Sequence, residues 1–406
     1  MNIIKNLVDL SPFMNIYQKD ENDREINLYK VRDVKFMENK DLYPNVLLST
    51  YEGTIRPINE TIMSLKDVKL TDKIHTSYKT NQIESNPHFF FIYNTDNYYH
   101  FVYDSLPYLI SYFKIKSEVS NLKLLMNYPN NQKKVFYKFV TEFLELLSIS
   151  ENDISIVDPH TEYGELFIST SYTHDGKSNL PPRNEIYDFY QNIVNTVKNK
   201  NITNISLPKK IYISRRTWIS NDTSNIGTNY TTKRKLANED DVVEFFKSKG
   251  FVEVFSENLS TDQKILLFNS ANHIVGPIGG GLCNALFCNG ECKLDILNSP
   301  TFFDVNKRFI YSFIPTNYEI VDFSSHTEKT EIKKFMRVKF DDKVGEVIDI
   351  NDDTVTIIYS EIEVSGWNND VKFETITKNI KDLQKLDGGL NSQWMINLDK
   401  IKTLKW

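Results

Sequence analysis

Cysteine is scarce in this chain of 406 residues: Cys283, Cys288 and Cys292 are the only three. An odd, clustered set makes no disulfide framework, and it lacks the paired spacing and nearby histidine of a zinc site. These read as core or surface thiols. An excess of basic residues is lacking too. With a net charge of −6, no positive field covers the surface to hold a nucleic acid, so any phosphate must be met by a few placed groups. No run approaches the ~18 consecutive apolar residues of a membrane span. The first residues meet Lys5 before any apolar signal core can build. The expectation is a cytoplasmic protein with no transmembrane segment. Internal repeats and strong low-complexity tracts are also absent.

What is there reads as folded α/β protein. Hydrophobic residues make up 40 % and charged residues 25 %, a globular balance, and the length calls for two or three domains. Residues 1–205 alternate short apolar runs with helical patterns. Strands are expected at 88–93, 122–126, 154–157 and 166–168. Helices are expected at about 97–115, at 131–148 (from Val135, Phe139, Phe143 and Leu146 at helical spacing), and after Pro181-Pro182 to about Lys200. Such alternation suggests parallel-sheet units. Residues 201–208 read as a linker.

Residues 206–330 are the most legible. Strands at 209–214, 251–255, 273–275 and 294–297 alternate with helices at 238–249 and 260–271. Asn238 and Gly250 bound the first helix, and a Ser260/Gln263 capping box opens the second. A turn at 276–281 and a short helix at 282–288 complete a Rossmann-like, doubly wound half-domain. The polar segment 217–232 is a candidate binding loop. Residues 331–406 form a small β-rich module: alternation at 338–340, 345–350 and 354–359, around the turn Asn351-Asp352-Asp353, suggests an antiparallel sheet or SH3-like barrel.

Three features could carry chemistry. Gly279-Gly280-Gly281 lies between a strand and a helix, where backbone amides can cradle a phosphate or simply turn the chain. It is not a dinucleotide fingerprint, because two strand–helix pairs precede it and Asn284 stands where a small residue belongs. No Gly-Lys-Ser/Thr follows, which excludes a P-loop. Arg215-Arg216 ends the first strand of the same unit, so the pair could meet a diphosphate in the same crevice or form surface ion pairs. His100 and Asp104 are one helical turn apart, as a general base and its orienting carboxylate would be, or as a hydrogen-bonded pair on an amphipathic helix. The histidines at 75, 88, 160, 174, 273 and 326 lack that spacing.

These residues fall in a recognisable order. His100-Phe-Val-x-Asp104-x-Leu-Pro107, Ile213-Ser-Arg-Arg216 and the block from Arg234 to Phe287 together resemble glycosyltransferase family 61. Within that block stand Glu257-Asn-Leu-Ser260, Gln263, Val275-Gly-Pro277 and Gly279-Gly-Gly-Leu-x-Asn284. The similarity covers residues 85–300, with one departure: the family usually has His-Gly-Ala-Gly-Leu at the turn, and Ile278 stands in place of the His.

The resemblance implies a GT-B fold, two Rossmann-like domains facing a cleft. Residues 1–205 would form the acceptor side and 206–330 the nucleotide-sugar donor side. It implies an inverting, metal-independent transfer of a hexosyl or pentosyl group from a UDP-linked donor to a hydroxyl of a glycan or glycoprotein, without a cofactor. His100 or Asp104 would be the base. Arg215 or Arg216 and the amides of Gly279, Gly280 and Gly281 would stabilise the leaving diphosphate. Glu257 would hold the ribose, with Gln263 and Asn284 as secondary donor-site candidates. No nucleic-acid partner is expected, and a homo-oligomer is left open. The rival readings are a non-catalytic nucleotide-sugar or glycan-binding protein on the same scaffold and, less well supported by the glycine pattern, an NAD-linked oxidoreductase.

Overall fold

A computed structural model describes residues 14–17, 26–37, 46–49, 56–57, 82–91, 97–128, 134–158, 160–173, 181–200, 207–216, 234–300, 302–327, 332, 337–341, 343–360, 373–385 and 392–406. Of the candidate linker at 201–208, residues 201–206 lie outside them, as does the whole candidate loop at 217–232. The chain divides into two compact units. One comprises Met1–Thr95, Tyr99–Pro129 and Phe143–Phe189; the other comprises Asp96–Tyr98, Asn130–Glu142 and Tyr190–Trp406.

The first unit is built on a sheet of β1 (Met14–Tyr17), β2 (Ile26–Met37), β3 (Val46–Ser49), β4 (Arg56–Pro57), β5 (Gln82–Glu84), β6 (His88–Phe90), β7 (Lys123–Met126), β8 (Ile154–Ile156) and β9 (Thr161–Ser169). The order is β4-β3-β2-β9-β6-β7-β8, with β1 on β2 and β5 on β9. Strands β6, β7 and β8 pair in parallel, as the alternation of elements suggests. The sheet as a whole is mixed, because β2 runs antiparallel to both β3 and β9. Apolar and polar residues alternate along much of β2 (INLYKVRDVKFM), a pattern suited to an antiparallel strand.

The helix expected over 97–115 is in two parts. His100–Ser105 is a π-turn closed by Leu106 N–H donating to Phe101 O, and α1 (Tyr108–Lys116) follows. Pro107 at the junction has no N–H to continue the helical ladder. The next helix is shorter than expected: α2 spans Lys138–Leu146. Lys134 takes φ +46°, a conformation no α-helix continues through, and Val135 is exposed instead of sharing an apolar face with Phe139. Helix α3 (Glu185–Asn199) follows the proline pair as expected.

In the second unit, β10 (Lys210–Ile213), β11 (Val252–Val254), β12 (His273–Pro277), β13 (Lys293–Leu297) and β14 (Asn317–Val321) form an all-parallel sheet in the order β11-β10-β12-β13-β14. The strand order reverses between β10 and β12, so their carboxyl ends bound a topological switch point, where open α/β sheets take ligands. Strand β14 went unforeseen; its edge position leaves it mostly exposed and without a strong apolar run.

Helices α4 (Glu239–Ser248) and α5 (Thr261–Ser270) match the expected pair. Gly250 closes α4 with φ +83°. Ser260 and Gln263 form the reciprocal capping box. Asn238 sits at the N-cap position of α4, but it does not cap the helix. Its carboxamide pairs with both backbone groups of Ile396, at 2.9 and 3.1 Å, so it ties a C-terminal segment to the sheet. That segment buries Trp394 completely in a core with Tyr212, Val242, Phe246, Val275 and Leu297.

Beyond it, β15 (Ser324–His326) pairs with β21 (Trp394–Ile396). The expected C-terminal antiparallel sheet is present as β19-β18-β17-β16-β20, from β16 (Arg337–Phe340), β17 (Lys343–Asn351), β18 (Thr354–Ser360), β19 (Phe373–Asn379) and β20 (Gln384–Lys385). It has its own core around Val347, Val355 and Ile357. Among the described residues, no helix is long and apolar enough to cross a membrane.

Candidate functional site

At the switch point, β10 delivers Ser214-Arg215-Arg216 beside the turn that follows β12. Arg215 is fixed through both main chain and side chain. Its backbone N–H donates to Glu239 Oε1 at 2.8 Å, its carbonyl accepts from Lys235 Nζ at 2.9 Å, and its Nη1 donates to the Ile278 carbonyl at 2.7 Å. Gly279 permits this approach. A Cβ there would lie 2.9 Å from Arg215 Nη1, so any other residue would displace the guanidinium. The side chain of Ile278 is fully buried; here that position serves Arg215 through its carbonyl.

Glu239, in the first turn of α4, is buried and also accepts from the Tyr212 hydroxyl at 3.3 Å. Burial raises its carboxyl above the ordinary range, while the Arg215 N–H and the charges of Lys235, Arg215 and Arg216 pull it back. Neither Glu239 nor Lys235 was singled out in the sequence. A glutamate and a lysine near a helix start carry no motif of their own, and only the fold brings them to Arg215.

Arg216 does not join this cradle. Its guanidinium is held by Glu253 and Asp240, and although burial works against its charge, these two carboxylates hold its pKa above the ordinary value. Asn284 is fully buried, accepts from the Tyr98 hydroxyl and donates to Gly281 O at 2.9 Å, bracing the glycine turn from beneath. Gly280 and Gly281 open a 3-10 helix, Gly280–Phe287. The exposed Gln263 holds the start of α5.

Glu257, in the short turn Ser256–Asn258 after β11, is buried, and its Oε1 has no hydrogen-bond partner among the described residues. Burial raises its pKa, and the charges of Lys235, Lys264 and Arg215 oppose that shift. Lys264 is itself buried, with its ammonium 4.4 Å from the centre of the Tyr98 ring, and burial brings its pKa down to about 8. Arg215, Gly279 and Glu257 thus share one electrostatic neighbourhood.

The first unit holds the histidine pair. On the π-turn, His100 Nδ1 lies 2.7 Å from Asp104 Oδ2, and Asp104 Oδ1 accepts from Thr173 Oγ1 at 3.3 Å. The Asp104 side chain is fully buried, whereas that of His100 is 33 % exposed, so the carboxylate is fixed and the imidazole reachable. A carboxylate accepting from Nδ1–H selects the tautomer whose lone pair is at Nε2. Two other histidines have partners that sequence spacing hides: His273 Nε2 lies 2.5 Å from Asp295, and His88 Nε2 lies 3.1 Å from the Ser155 hydroxyl.

Residues 98–294 match the family model described as Glycosyltransferase 61, a stretch that includes every candidate site residue above. No curated protein matches the chain.

Proposed function

Because the chain belongs to glycosyltransferase family 61 through residues 98–294, we propose that it is an inverting enzyme that takes its sugar from a UDP-linked donor. The acceptor is a hydroxyl of a glycan or glycoprotein. The proposal includes the GT-B assignment, with the donor in the unit that carries Arg215 and the base in the unit that carries His100. The observation that carries it is the fixing of Arg215 against Gly279 at the β10/β12 switch point.

In the proposed reaction, the acceptor oxygen attacks the anomeric carbon as the bond from that carbon to the diphosphate oxygen breaks. The hydroxyl proton passes to His100 Nε2. Asp104, held by Thr173, keeps the ring oriented and stabilises the imidazolium that forms. Negative charge grows on the departing UDP, and Arg215 with the amides of the glycine turn meets it, without a metal ion. Glu257 Oε1 accepts from a ribose hydroxyl. Arg216, already neutralised by its carboxylates, supports the strand end.

A melting-temperature screen with UDP and UDP-sugars, followed by an assay for UDP release, tests this reading. UDP should raise the melting temperature of the native protein, and Arg215→Ala should abolish the rise. A protein that releases no UDP or GDP from any nucleotide sugar, with or without acceptors, yet still binds UDP would be a binding protein and not a transferase.

A further inference from the structure

Two short excursions of the chain, Asp96–Tyr98 and Asn130–Glu142, belong to the second unit although the residues around them belong to the first. They bring Tyr98, Phe139 and Glu142 to helix α5 and the glycine turn. The Tyr98 ring packs edge-on against Phe139, with centroids 5.3 Å apart, and the Lys264 ammonium lies 4.4 Å from its centre. The Tyr98 hydroxyl donates to Asn284 Oδ1. Glu142 Oε2 accepts from Thr261 N–H at 2.9 Å and from the Thr261 hydroxyl at 2.6 Å, which fixes the first turn of α5, the turn that carries Lys264.

Asn284 is fully buried, and its two partners decide which way round its carboxamide sits. The Gly281 carbonyl can only accept, so Nδ2 faces it, at 2.9 Å. Oδ1 is then left to Tyr98, whose hydroxyl supplies the proton. The peptide between Gly281 and Leu282 is thereby held at both ends, because Leu282 N–H donates to Gly279 O at 3.0 Å while Gly281 O accepts from Asn284. With that plane fixed, the Gly280 and Gly281 amides just before it have less freedom to turn, which matters most at glycines. Lys264 completes the arrangement. It is 2 % exposed, and Tyr98, Glu142, Lys138, Cys283 and Glu257 face it. Burial brings its pKa down to about 8; Glu142, Cys283 and Glu257 favour the ammonium, and Lys138 opposes it. At neutral pH it is therefore charged and attracts the face of the Tyr98 ring.

We propose that Tyr98 and Lys264 are positioning residues for the transfer step: the ammonium holds the Tyr98 ring, the ring's hydroxyl orients Asn284, and Asn284 sets the amides of the glycine turn. This rests on the nucleotide-sugar reading above and adds two residues that carry no motif in the sequence. Both act through Asn284 and not on the substrate. A correctly aimed amide counts most where charge develops in the transition state, so this brace acts on kcat more than on KM. Loss of the Lys264 proton takes the cation from the ring and loosens the brace, which gives kcat an alkaline limb at a pH of about 8.

Hydrogen exchange at the Leu282 amide and UDP-release kinetics across pH, on the full-length protein and on Tyr98→Phe and Lys264→Met, test the brace. Tyr98→Phe keeps the ring and removes only the hydroxyl. Exchange at Leu282 should quicken about tenfold while β12 and β13 stay as protected as in the native protein, and kcat should fall about tenfold with KM within about twofold. This variant also leaves Asn284 Oδ1 without its donor and loses stability, so Lys264→Met is the second arm. It removes a buried charge, and its melting temperature should hold or rise. Its kcat at neutral pH should nevertheless fall about threefold, and the alkaline limb of the native profile should vanish. Native exchange at Leu282 in Tyr98→Phe would overturn the brace, as would faster exchange spread equally over β12 and β13, or an alkaline limb in Lys264→Met identical to the native one. If exchange responds as expected but the native protein releases no UDP from any nucleotide sugar, the brace on the glycine turn stands and the transferase reading falls. If the native protein transfers sugar and Tyr98→Phe matches its kcat, the brace falls and the transferase reading stands.

Discussion

The two ends of one parallel sheet treat charge in opposite ways. Towards the amino ends of β12 and β13, His273, Lys293 and Asp295 form a compact cluster. Buried Asp295 Oδ2 is 2.5 Å from the imidazole and 3.0 Å from the lysine, and Phe251 and Trp406 pack their rings around His273. At the carboxyl ends, Arg234, Glu257, Asn298 and Ser299 each keep a buried polar atom without a hydrogen-bond partner among the described residues. Packing therefore completes the amino end, while at the carboxyl end the described residues leave these atoms unmatched. A group whose partners are already present supports the fold, and a group that lacks one is poised for a ligand.

Mutations at the two ends should separate these roles. The largest effect is expected from Arg215→Ala, which should lower kcat/KM by on the order of 10²–10³ in a UDP-release assay while leaving the melting temperature close to that of the native protein. Asp295→Ala should do the reverse. Losing the shared acceptor of His273 and Lys293 should cost about 3 kcal/mol by denaturant titration, while UDP still raises the melting point of the folded fraction. If Asp295→Ala abolished the UDP response without loss of stability, the contrast between the two ends would collapse.

Lys264 sharpens the comparison through pH. Its folded-state pKa of about 8 lies below the ordinary lysine value of 10.5, so the folded chain releases this proton first. Between those values the unfolded state binds more protons, and this group's contribution makes stability rise with pH. Lys264→Met should remove that rise and add about 2 kcal/mol at pH 7; identical stability-against-pH curves for variant and native protein would contradict the assignment. The smallest effect is expected from Arg216→Ala, about 1 kcal/mol of stability from its pairs with Glu253 and Asp240, with UDP affinity unchanged.

Most of the second unit was legible because each element announces itself. Ser260 and Gln263 write out their capping box, Gly250 marks a helix end, and β10, β12 and β13 are short apolar runs followed by turns. The His100–Asp104 pair was legible for the same reason, since its partners are four residues apart. Long-range geometry was not. Arg215 and Arg216 are neighbours in sequence, and only Glu253 and Asp240, brought in by β11 and α4, distinguish them. Asn238 carries a capping signature, yet Ile396 claims its side chain from far along the chain. Arg234, Asn298 and Ser299 have no motif, and what marks them is the absence of a partner, which sequence cannot display. In the segment Asn130–Glu142, Lys134 in a left-handed conformation delays the start of a helix that the apolar spacing alone would begin earlier.

Isothermal titration of UDP into the native protein and into Arg215→Ala decides whether Arg215 binds the donor's diphosphate. The expected result is measurable binding to the native protein and no detectable heat with the variant at an unchanged melting temperature. Equal dissociation constants for the two would show that the guanidinium held against Gly279 does not grip a diphosphate.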